Sequence, residues 1–224
     1  MLSVYLVEDD DVTALHVLAS FGCAGDLECL GRAANIAEAR EALPRLRPQV
    51  IVTDIGLPDG EGTELIAALR DGRCGAPAWW PHVLTYSVHE DEARVLGAIE
   101  AGSDDYVLKN GRTQDLVEAV RRIGRGEASI SPPIARHVLE RARERGAALA
   151  LDAQDGELLR MVSQGYVVDE VAARLQLSVQ GVARRVRRMY ERLHRSGLPM
   201  GAPQSAAGLP PAGAGVFAAP FALR

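Results

Sequence analysis

The chain has 224 residues, of which 47% are hydrophobic and 25% charged, values that are ordinary for a globular protein of one or two domains with a buried core. The formal net charge of −5 excludes a protein that is basic throughout, although a basic region can be hidden in that average. Three cysteines without metal-binding spacing, and an N-terminus without a basic segment or a long apolar run, predict a soluble protein of the reducing cytoplasm without a membrane span.

The first 125 residues alternate between short apolar runs and longer amphipathic segments. The runs predict five strands, at 2–7, 27–32, 50–53, 81–86 and 105–108. The amphipathic segments predict five helices, at 11–21, 36–46, 63–70, 90–101 and 113–125. We expect Asp11 to cap the first helix, with Leu15, Leu18 and Ala19 at helical spacing. Because strands and helices alternate and crossovers are right-handed, we predict a doubly wound α/β fold with a parallel sheet.

Polar side chains stand where four of these strands end: Glu8, Asp9, Asp54, Thr85 and Lys109. Parallel strands share their carboxyl edge, so we expect these groups to lie close together. Crowded carboxylates repel one another, and a divalent cation such as Mg²⁺, which prefers oxygen ligands, relieves that repulsion. The pattern therefore indicates metal-assisted phosphoryl transfer. For Asp54 taken alone, a helix cap is the alternative.

Lys109 is the only lysine in the chain, since every other permanent cation is Arg. The two residue types are interchangeable on most surfaces, but not where one compact ammonium is needed. Its position after the fifth strand therefore indicates a chemical requirement, with chance survival on a surface as the alternative.

The strand ends carry motifs that resemble the receiver domain of two-component response regulators. The similarity covers residues 1 to about 125 and lies in Val7-Glu8-Asp9-Asp10, Asp54-Ile-Gly-Leu-Pro-Asp-Gly-Glu-Gly62, Leu84-Thr85-Tyr86-Ser87 and Ala101-Gly-Ser-Asp-Asp-Tyr-Val-Leu-Lys109. The resemblance implies a flavodoxin-like fold with a five-stranded parallel sheet. It also implies that Asp54 accepts a phosphoryl group from a sensor histidine kinase.

The same resemblance implies a role for the other polar residues at this edge. Glu8 and Asp9 would hold Mg²⁺ together with Asp54. Lys109 would pair with the phosphoryl oxygens, Thr85 would swing its hydroxyl onto them, and Tyr106 would follow inward as an aromatic switch. An ordinary strand-end Thr and a core Tyr are the alternatives. Such a protein is not an enzyme acting on an external substrate; it accepts a phosphoryl group and dephosphorylates itself.

The second half of the chain predicts a linker and a small all-α domain. The linker, 126–149, contains a turn-rich exit and a charged helix at 134–146, for which a flexible tether is the alternative. Residues 150–196 predict three short helices, at 153–164, 170–175 and 179–195, which begin at Asp152, Asp169 and Ser178. Residues 197–224 are rich in Pro, Gly and Ala, and we expect them to be disordered.

The last predicted helix is basic. Val182, Val186, Met189 and Leu193 form an apolar stripe, whereas residues 178–195 also hold six arginines and one acid. A short turn followed by a helix with a basic face is what a reader of the DNA major groove needs. An arginine face that is merely solvated is the alternative.

Residues 150–196 resemble the helix-turn-helix output domain of LuxR/NarL-type regulators. The similarity lies in Leu151-Asp-Ala-Gln-Asp155, Gly165, Val171-Ala-Ala-Arg-Leu175 and Leu177-Ser178, and in the apolar stripe of the last helix. It implies a recognition helix whose DNA contacts are Gln180, Arg184, Arg185, Arg187 and Arg188. Arg184 and Arg187 match base-facing positions, and Arg185 and Arg188 match phosphate contacts.

Two departures from the family pattern support a rival hypothesis. Gly181 stands where the family usually has Thr, and Ala183 where it usually has Lys. A Pro-rich segment also follows Ser196 where a fourth helix is expected. The output domain could therefore act through protein contacts or leave the chain a phosphate sink for its kinase. A stand-alone phosphatase that uses the acidic pocket is a third hypothesis.

Together the two similarities predict a bacterial transcription regulator of the response-regulator class. Phosphorylation of Asp54 would switch homodimerisation and binding to double-stranded DNA. The dimer could use the fourth helix with the fifth strand and helix, or the first and fifth helices.

Overall fold

The computed structural model describes residues 1–74, 79–145 and 151–195 of the chain. Its first half contains a five-stranded sheet whose strands are β1 (Leu2–Val7), β2 (Leu27–Ala33), β3 (Val50–Thr53), β4 (His82–Ser87) and β5 (Asp105–Leu108). The spatial order is β2-β1-β3-β4-β5 and every neighbouring pair is parallel. The predicted doubly wound fold is confirmed. A small hairpin that the sequence did not predict pairs Gly56–Leu57 with Gly60–Glu61 after β3.

Five helices cover the two faces of this sheet: α1 (Asp11–Cys23), α2 (Ile36–Leu46), α3 (Gly62–Arg70), α4 (Glu92–Ala101) and α5 (Thr113–Gly124). One hydrophobic core joins α1 and α5 to the sheet, and a second joins α2 and α3 to its other face. The strand residues are apolar on both sides because helices bury both faces. The predicted helices are all present, with ends that differ by at most two residues.

Helix α1 corrects two expectations. Asp10, not Asp11, is the N-cap: its backbone is extended and its carboxylate accepts the Thr13 amide at 2.7 Å. The buried face consists of Ala14, Val17 and Phe21, whereas Leu15 is 68% exposed. Because four acidic residues follow one another here, the sequence alone does not show which of them is the N-cap. The buried face of α1 depends on where the helix begins.

The second half of the chain folds as α6 (Pro132–Arg145), α7 (Ala153–Ser163), α8 (Val168–Arg174) and α9 (Val179–Arg195). The predicted linker helix is confirmed, and it begins two residues earlier than expected because Pro is tolerated in the first helical turn. Asp152 caps α7 as predicted. Helix α8 begins at Val168, with Val167 rather than Asp169 at the cap position.

A third hydrophobic core is built from α6 to α9, and it reaches into the first half of the chain. Ile134, Ala135 and Val138 of α6 are buried in it, so the charged helix is packed and not a free tether. Ile99 of α4 also belongs to this core. The predicted tail at 197–224 lies outside the described residues. Among the helices of the described ranges, none has the length and apolar character needed to cross a membrane.

Candidate functional site

The carboxyl edge of the sheet brings three of the predicted polar side chains into direct contact. Lys109 Nζ, after β5, lies 2.6 Å from Asp54 Oδ2 and 2.6 Å from Glu8 Oε2. The side chains of Glu8 and Asp54 are only 1% and 10% exposed. The arrangement follows from the fold, because β1, β3 and β5 are parallel and end at the same edge.

Asp9 completes an acidic trio in this pocket. One carboxylate oxygen from each of Glu8, Asp9 and Asp54 lies within 4.8 Å of the others. Asp9 is exposed whereas its two partners are buried, so the trio opens to solvent on one side. An all-oxygen donor set with one open side fits Mg²⁺, which keeps several water ligands when it binds to carboxylates.

Burial and ion pairing act against each other on the pKa values of this pocket. Burial raises the pKa of Glu8, although its hydrogen bond and ion pair with Lys109 work in the opposite direction. Burial works to lower the pKa of Lys109, but its hydrogen bonds to Asp54 and Glu8 outweigh that effect and raise it. Lys109 therefore stays charged, and its ammonium offsets the repulsion between the two buried carboxylates.

Arg32, which the sequence reasoning missed, fixes the backbone of the acidic turn. Its guanidinium donates to the carbonyl oxygens of Glu8 at 2.9 Å and Asp9 at 3.0 Å, and it pairs with Asp11 at 2.7 Å. The cation thus holds the turn from which the two acidic side chains project. A basic residue at the end of the neighbouring strand β2 was the available signal.

The loop after Asp54 is held by a close approach at Gly62. The Gly62 amide donates to the Ile55 carbonyl at 2.7 Å, and a β-carbon at this glycine would lie 1.9 Å from the Asp54 carbonyl oxygen. Asp59, in the same loop, accepts the amides of Ile36 at 2.8 Å and Ala37 at 2.9 Å. The Gly- and Pro-rich segment is therefore fixed by contacts at both ends and holds the backbone that follows Asp54.

The structure does not bring Thr85 to the pocket. Its side chain is fully buried and its hydroxyl shares a 2.8 Å hydrogen bond with that of Ser103. Ser87 is instead the last residue of β4, and its carbonyl accepts the Lys109 amide at 2.8 Å. The strand continues beyond its predicted end, and Ser87 is therefore the hydroxyl-bearing residue at its carboxyl end.

Tyr106 stands half-buried beside this strand end. Its hydroxyl donates to the His89 carbonyl at 2.6 Å, and burial raises its pKa to about 12. The ring is thus tied to the loop between β4 and α4, close to Ser87. This position is neither that of a core aromatic nor that of a fully exposed one.

The five predicted DNA contacts fall into two groups on α9. Gln180, Arg184 and Arg188 are exposed. Arg185 is held within the helical half of the chain by Asp152 at 2.9 Å and Asp155 at 2.5 Å.

Arg187 is not available to DNA in this conformation. It is 3% exposed, and its guanidinium forms an ion pair with Asp104, which precedes β5, and a 3.2 Å contact with Glu191. The base-facing role of Arg187 stays a prediction, because docking of α9 on the first half of the chain buries this side chain in the structure.

Comparisons with known proteins agree with this architecture. The response regulator receiver domain family matches residues 4–121. The transcriptional activator DevR/DosR of Mycobacterium tuberculosis is 32% identical over 203 residues, which cover 86% of this chain and 88% of that protein.

Solved structures give the same result for the fold. The receiver domain of a putative response regulator NarL from M. tuberculosis is 25% identical, with a TM-score of 0.52 over 56% of this chain and 97% of that one. RcsB of Salmonella enterica serovar Typhimurium, solved bound to a promoter with a phosphomimetic, is 18% identical, with a TM-score of 0.53 over 87% of this chain and 97% of that one.

Proposed function

This chain belongs to the two-component response regulators, and we propose that it is a transcription regulator switched by phosphorylation of Asp54. The observation that carries the proposal is the position of the Asp54 carboxylate, which lies 2.6 Å from Lys109 and within an acidic trio at the carboxyl edge of the sheet. The donor is a sensor histidine kinase, and the protein acts in the cytoplasm, where kinase phosphoryl groups and promoter DNA are both accessible.

The reaction at Asp54 is a phosphoryl transfer. A carboxylate oxygen of Asp54 forms a bond to phosphorus while the bond from phosphorus to the histidine nitrogen breaks, and the released imidazole keeps the electron pair. Lys109 is close enough to pair with the incoming phosphoryl oxygens. Hydrolysis of the resulting acyl phosphate at the same site returns the protein to its starting state, with no external substrate.

Glu8, Asp9 and Asp54 are the residues that would hold Mg²⁺. When bound, the ion supplies positive charge next to the transferred phosphoryl group. The chain's own contribution is to fix the acceptor. The backbone amide of Ile55 donates to Asp54 Oδ1 at 2.6 Å, which leaves Oδ2 on the side of the Lys109 ammonium.

We assign DNA binding to α9. Gln180, Arg184 and Arg188 are exposed, and arginines of this kind can meet both phosphates and guanine edges. We assign the homodimer to the face of α1 and α5, because Val12 and Leu15 of α1 are 63% and 68% exposed whereas α4 is covered by α6 and α9.

A second candidate function is regulation through protein contacts without DNA. The observation that favours it is that two of the predicted DNA contacts form ion pairs within the chain instead. Arg185 pairs with Asp155, and Arg187 pairs with Asp104. A salt titration separates the two functions, because a reader that uses the two exposed arginines should show a slope of about −2 in log affinity against log salt.

Phosphorylation is tested by incubating the protein with acetyl phosphate and Mg²⁺ and measuring its intact mass. Wild type is expected to gain one phosphoryl group and Asp54→Asn none. The matched control is Asp59→Asn, since Asp59 lies in the same loop but caps α2 instead of facing the pocket. Equal phosphorylation of wild type and Asp54→Asn would refute the assignment of the acceptor.

DNA binding is tested with the same samples by fluorescence anisotropy on a labelled duplex. We expect affinity to rise with acetyl phosphate only when Asp54 is present. Phosphorylated wild-type protein that shows no salt-dependent binding would favour the function through protein contacts.

A further inference from the structure

Helix α9 is docked on the first half of the chain. Ile99 of α4 is 1% exposed and lies in the core that α9 helps to build. The imidazole of His194 donates to the Ile99 carbonyl at 2.9 Å, and the Tyr190 hydroxyl donates to the Ser129 carbonyl at 2.9 Å. A backbone hydrogen bond of 3.2 Å also joins Ala128 to Ala183 within α9. The helix assigned to DNA is therefore held along much of its length.

The ion pair between Arg187 and Asp104 lies inside this interface. The two side chains are 4% and 0% exposed. Asp104 also accepts the Val83 amide at 2.8 Å and a guanidinium nitrogen of Arg70 at 3.0 Å. Two arginines from different halves of the chain thus converge on one buried carboxylate.

Arg187 differs in this respect from the other basic residues of α9. Arg184 and Arg188 lie one turn or less away and are exposed. Arg185 is occupied by acids of its own half of the chain. Arg187 instead pairs with Asp104 of the receiver.

We propose that Asp104 is an internal competitor of DNA for the Arg187 guanidinium. The proposal rests on the function proposed above. While Asp104 holds Arg187, α9 stays docked and one base-facing arginine is withheld. DNA binding requires that this one contact be exchanged for a contact with the nucleic acid.

Asp104 keeps other partners when its ion pair with Arg187 is broken. When Arg187 leaves, Asp104 keeps Arg70 and the Val83 amide, so its charge is not left buried without a partner. On the other side, burial lowers the pKa of Arg187 to about 10, and the neighbouring charge of Arg70 acts in the same direction. Release of Arg187 into water or onto a phosphate removes this penalty.

Strand β4 connects the competitor to the phosphoryl site. Its residue Val83 exchanges hydrogen bonds with Asp104, and Thr85 shares one with Ser103, the residue before Asp104. Ser87 at the other end of β4 accepts the amide of Lys109, whose ammonium pairs with Asp54. The hydroxyl of Thr85 thus anchors the turn that presents Asp104.

Three variants test the competition: Asp104→Asn, Arg187→Gln and His194→Ala. Asp26→Asn is the matched control, because its carboxylate forms a receiver ion pair with Arg121, at 2.7 Å, on a different surface. For each full-length protein without phosphodonor, small-angle X-ray scattering measures the radius of gyration. Anisotropy on a labelled random-sequence duplex measures affinity, and wild type with acetyl phosphate is measured beside them.

We expect Asp104→Asn and Arg187→Gln to change the shape of the protein in the same way and its affinity for DNA in opposite ways. Both should enlarge the radius of gyration, because each removes one side of the same buried ion pair. Asp104→Asn should bind duplex about tenfold more tightly than wild type, a typical coupling between two states, whereas Arg187→Gln should bind more weakly. His194→Ala should open and gain affinity, and Asp26→Asn should match wild type.

A folded Asp104→Asn protein that gains no affinity, while phosphorylated wild type does bind, overturns the competition and leaves the proposed function intact. If Asp104→Asn does not fold, a compact Arg187→Gln protein overturns it equally. Absence of salt-sensitive binding in every form, including phosphorylated wild type, overturns the proposed function and the competition together.

Discussion

Replacing Lys109 by Met should destabilise the protein through the two carboxylates that it leaves behind. Lys109 Nζ lies 2.6 Å from both Glu8 and Asp54, whose side chains are 1% and 10% exposed. Removing one partner of a buried ion pair typically costs about 3–5 kcal/mol. We expect the lower end, about 3 kcal/mol at neutral pH, because Glu8 can take up a proton and Asp54 keeps some contact with water.

The pH dependence of this loss has a definite sign. Burial already raises the pKa of Glu8, and removing Lys109 also removes the hydrogen bond that lowers it. The folded variant therefore binds a proton more readily than the unfolded chain. Its stability, relative to wild type, should recover as the pH falls through that raised pKa. Mg²⁺ should stabilise the variant more than wild type, because it binds to the folded pocket and replaces the missing positive charge.

The assay is urea unfolding, followed by circular dichroism, at neutral and mildly acidic pH, with and without Mg²⁺. Arg45→Met is the control: Arg45 and Glu41 form an ion pair of 3.3 Å whose side chains are 70% and 78% exposed, so little or no loss is expected. A Lys109→Met protein as stable as wild type, or one whose deficit grows as the pH falls, would refute this account of the pocket.

Three further changes test other parts of the site. Gly62→Ala puts a β-carbon 1.9 Å from a backbone oxygen and should slow phosphorylation by acetyl phosphate at least severalfold, whereas Gly56→Ala, which has open space around it, should not. Ser87→Ala should abolish the effect of phosphodonor on DNA affinity, and Thr85→Ser, which keeps the buried hydroxyl, should preserve it; equal effects would contradict the placement of the switch. Lowering the pH from about 7.5 to about 5.5 should enlarge the radius of gyration. Burial lowers the pKa of docked His194 to about 3, so the docked imidazole stays neutral while the released one is protonated. A constant radius would exclude His194 from this role.

The sheet and its acidic edge were predictable because each depends on local signals. Short apolar runs closed by Asp, Gly and Pro mark buried parallel strands, and parallel strands must end at one edge. Glu8, Asp54 and Lys109 therefore meet as expected, although they are far apart in the chain. The Gly62 contact has no such local signal, and the basic residue at the end of β2 does not by itself show that Arg32 reaches the acidic turn, because each contact depends on where a neighbouring segment crosses.

The hydroxyl at the end of β4 was assigned to the wrong residue because of a small error in the predicted end of the strand. Thr85 and Ser87 lie on the same side of one strand, since side chains alternate with a period of two. The sequence placed the strand end one residue too early, and the structure continues it to Ser87. That single residue decides which hydroxyl lies at the strand end, whereas the hydroxyl of Thr85 pairs with Ser103.

Arg187 illustrates a different limit, since its residue type suits both of its partners. Guanidinium is planar, has several donors, and keeps its charge at neutral pH even where burial lowers its pKa to about 10. Those properties let it remain paired with Asp104 in a buried interface, and the same properties make a guanidinium a bidentate ligand for guanine or phosphate. The basic character of α9 was predictable from its sequence, but an arginine that suits DNA is also one that a buried carboxylate can retain. On the proposed function, regulation of such a helix needs no separate inhibitory residue on α9, only an acid elsewhere in the chain that competes with DNA for Arg187.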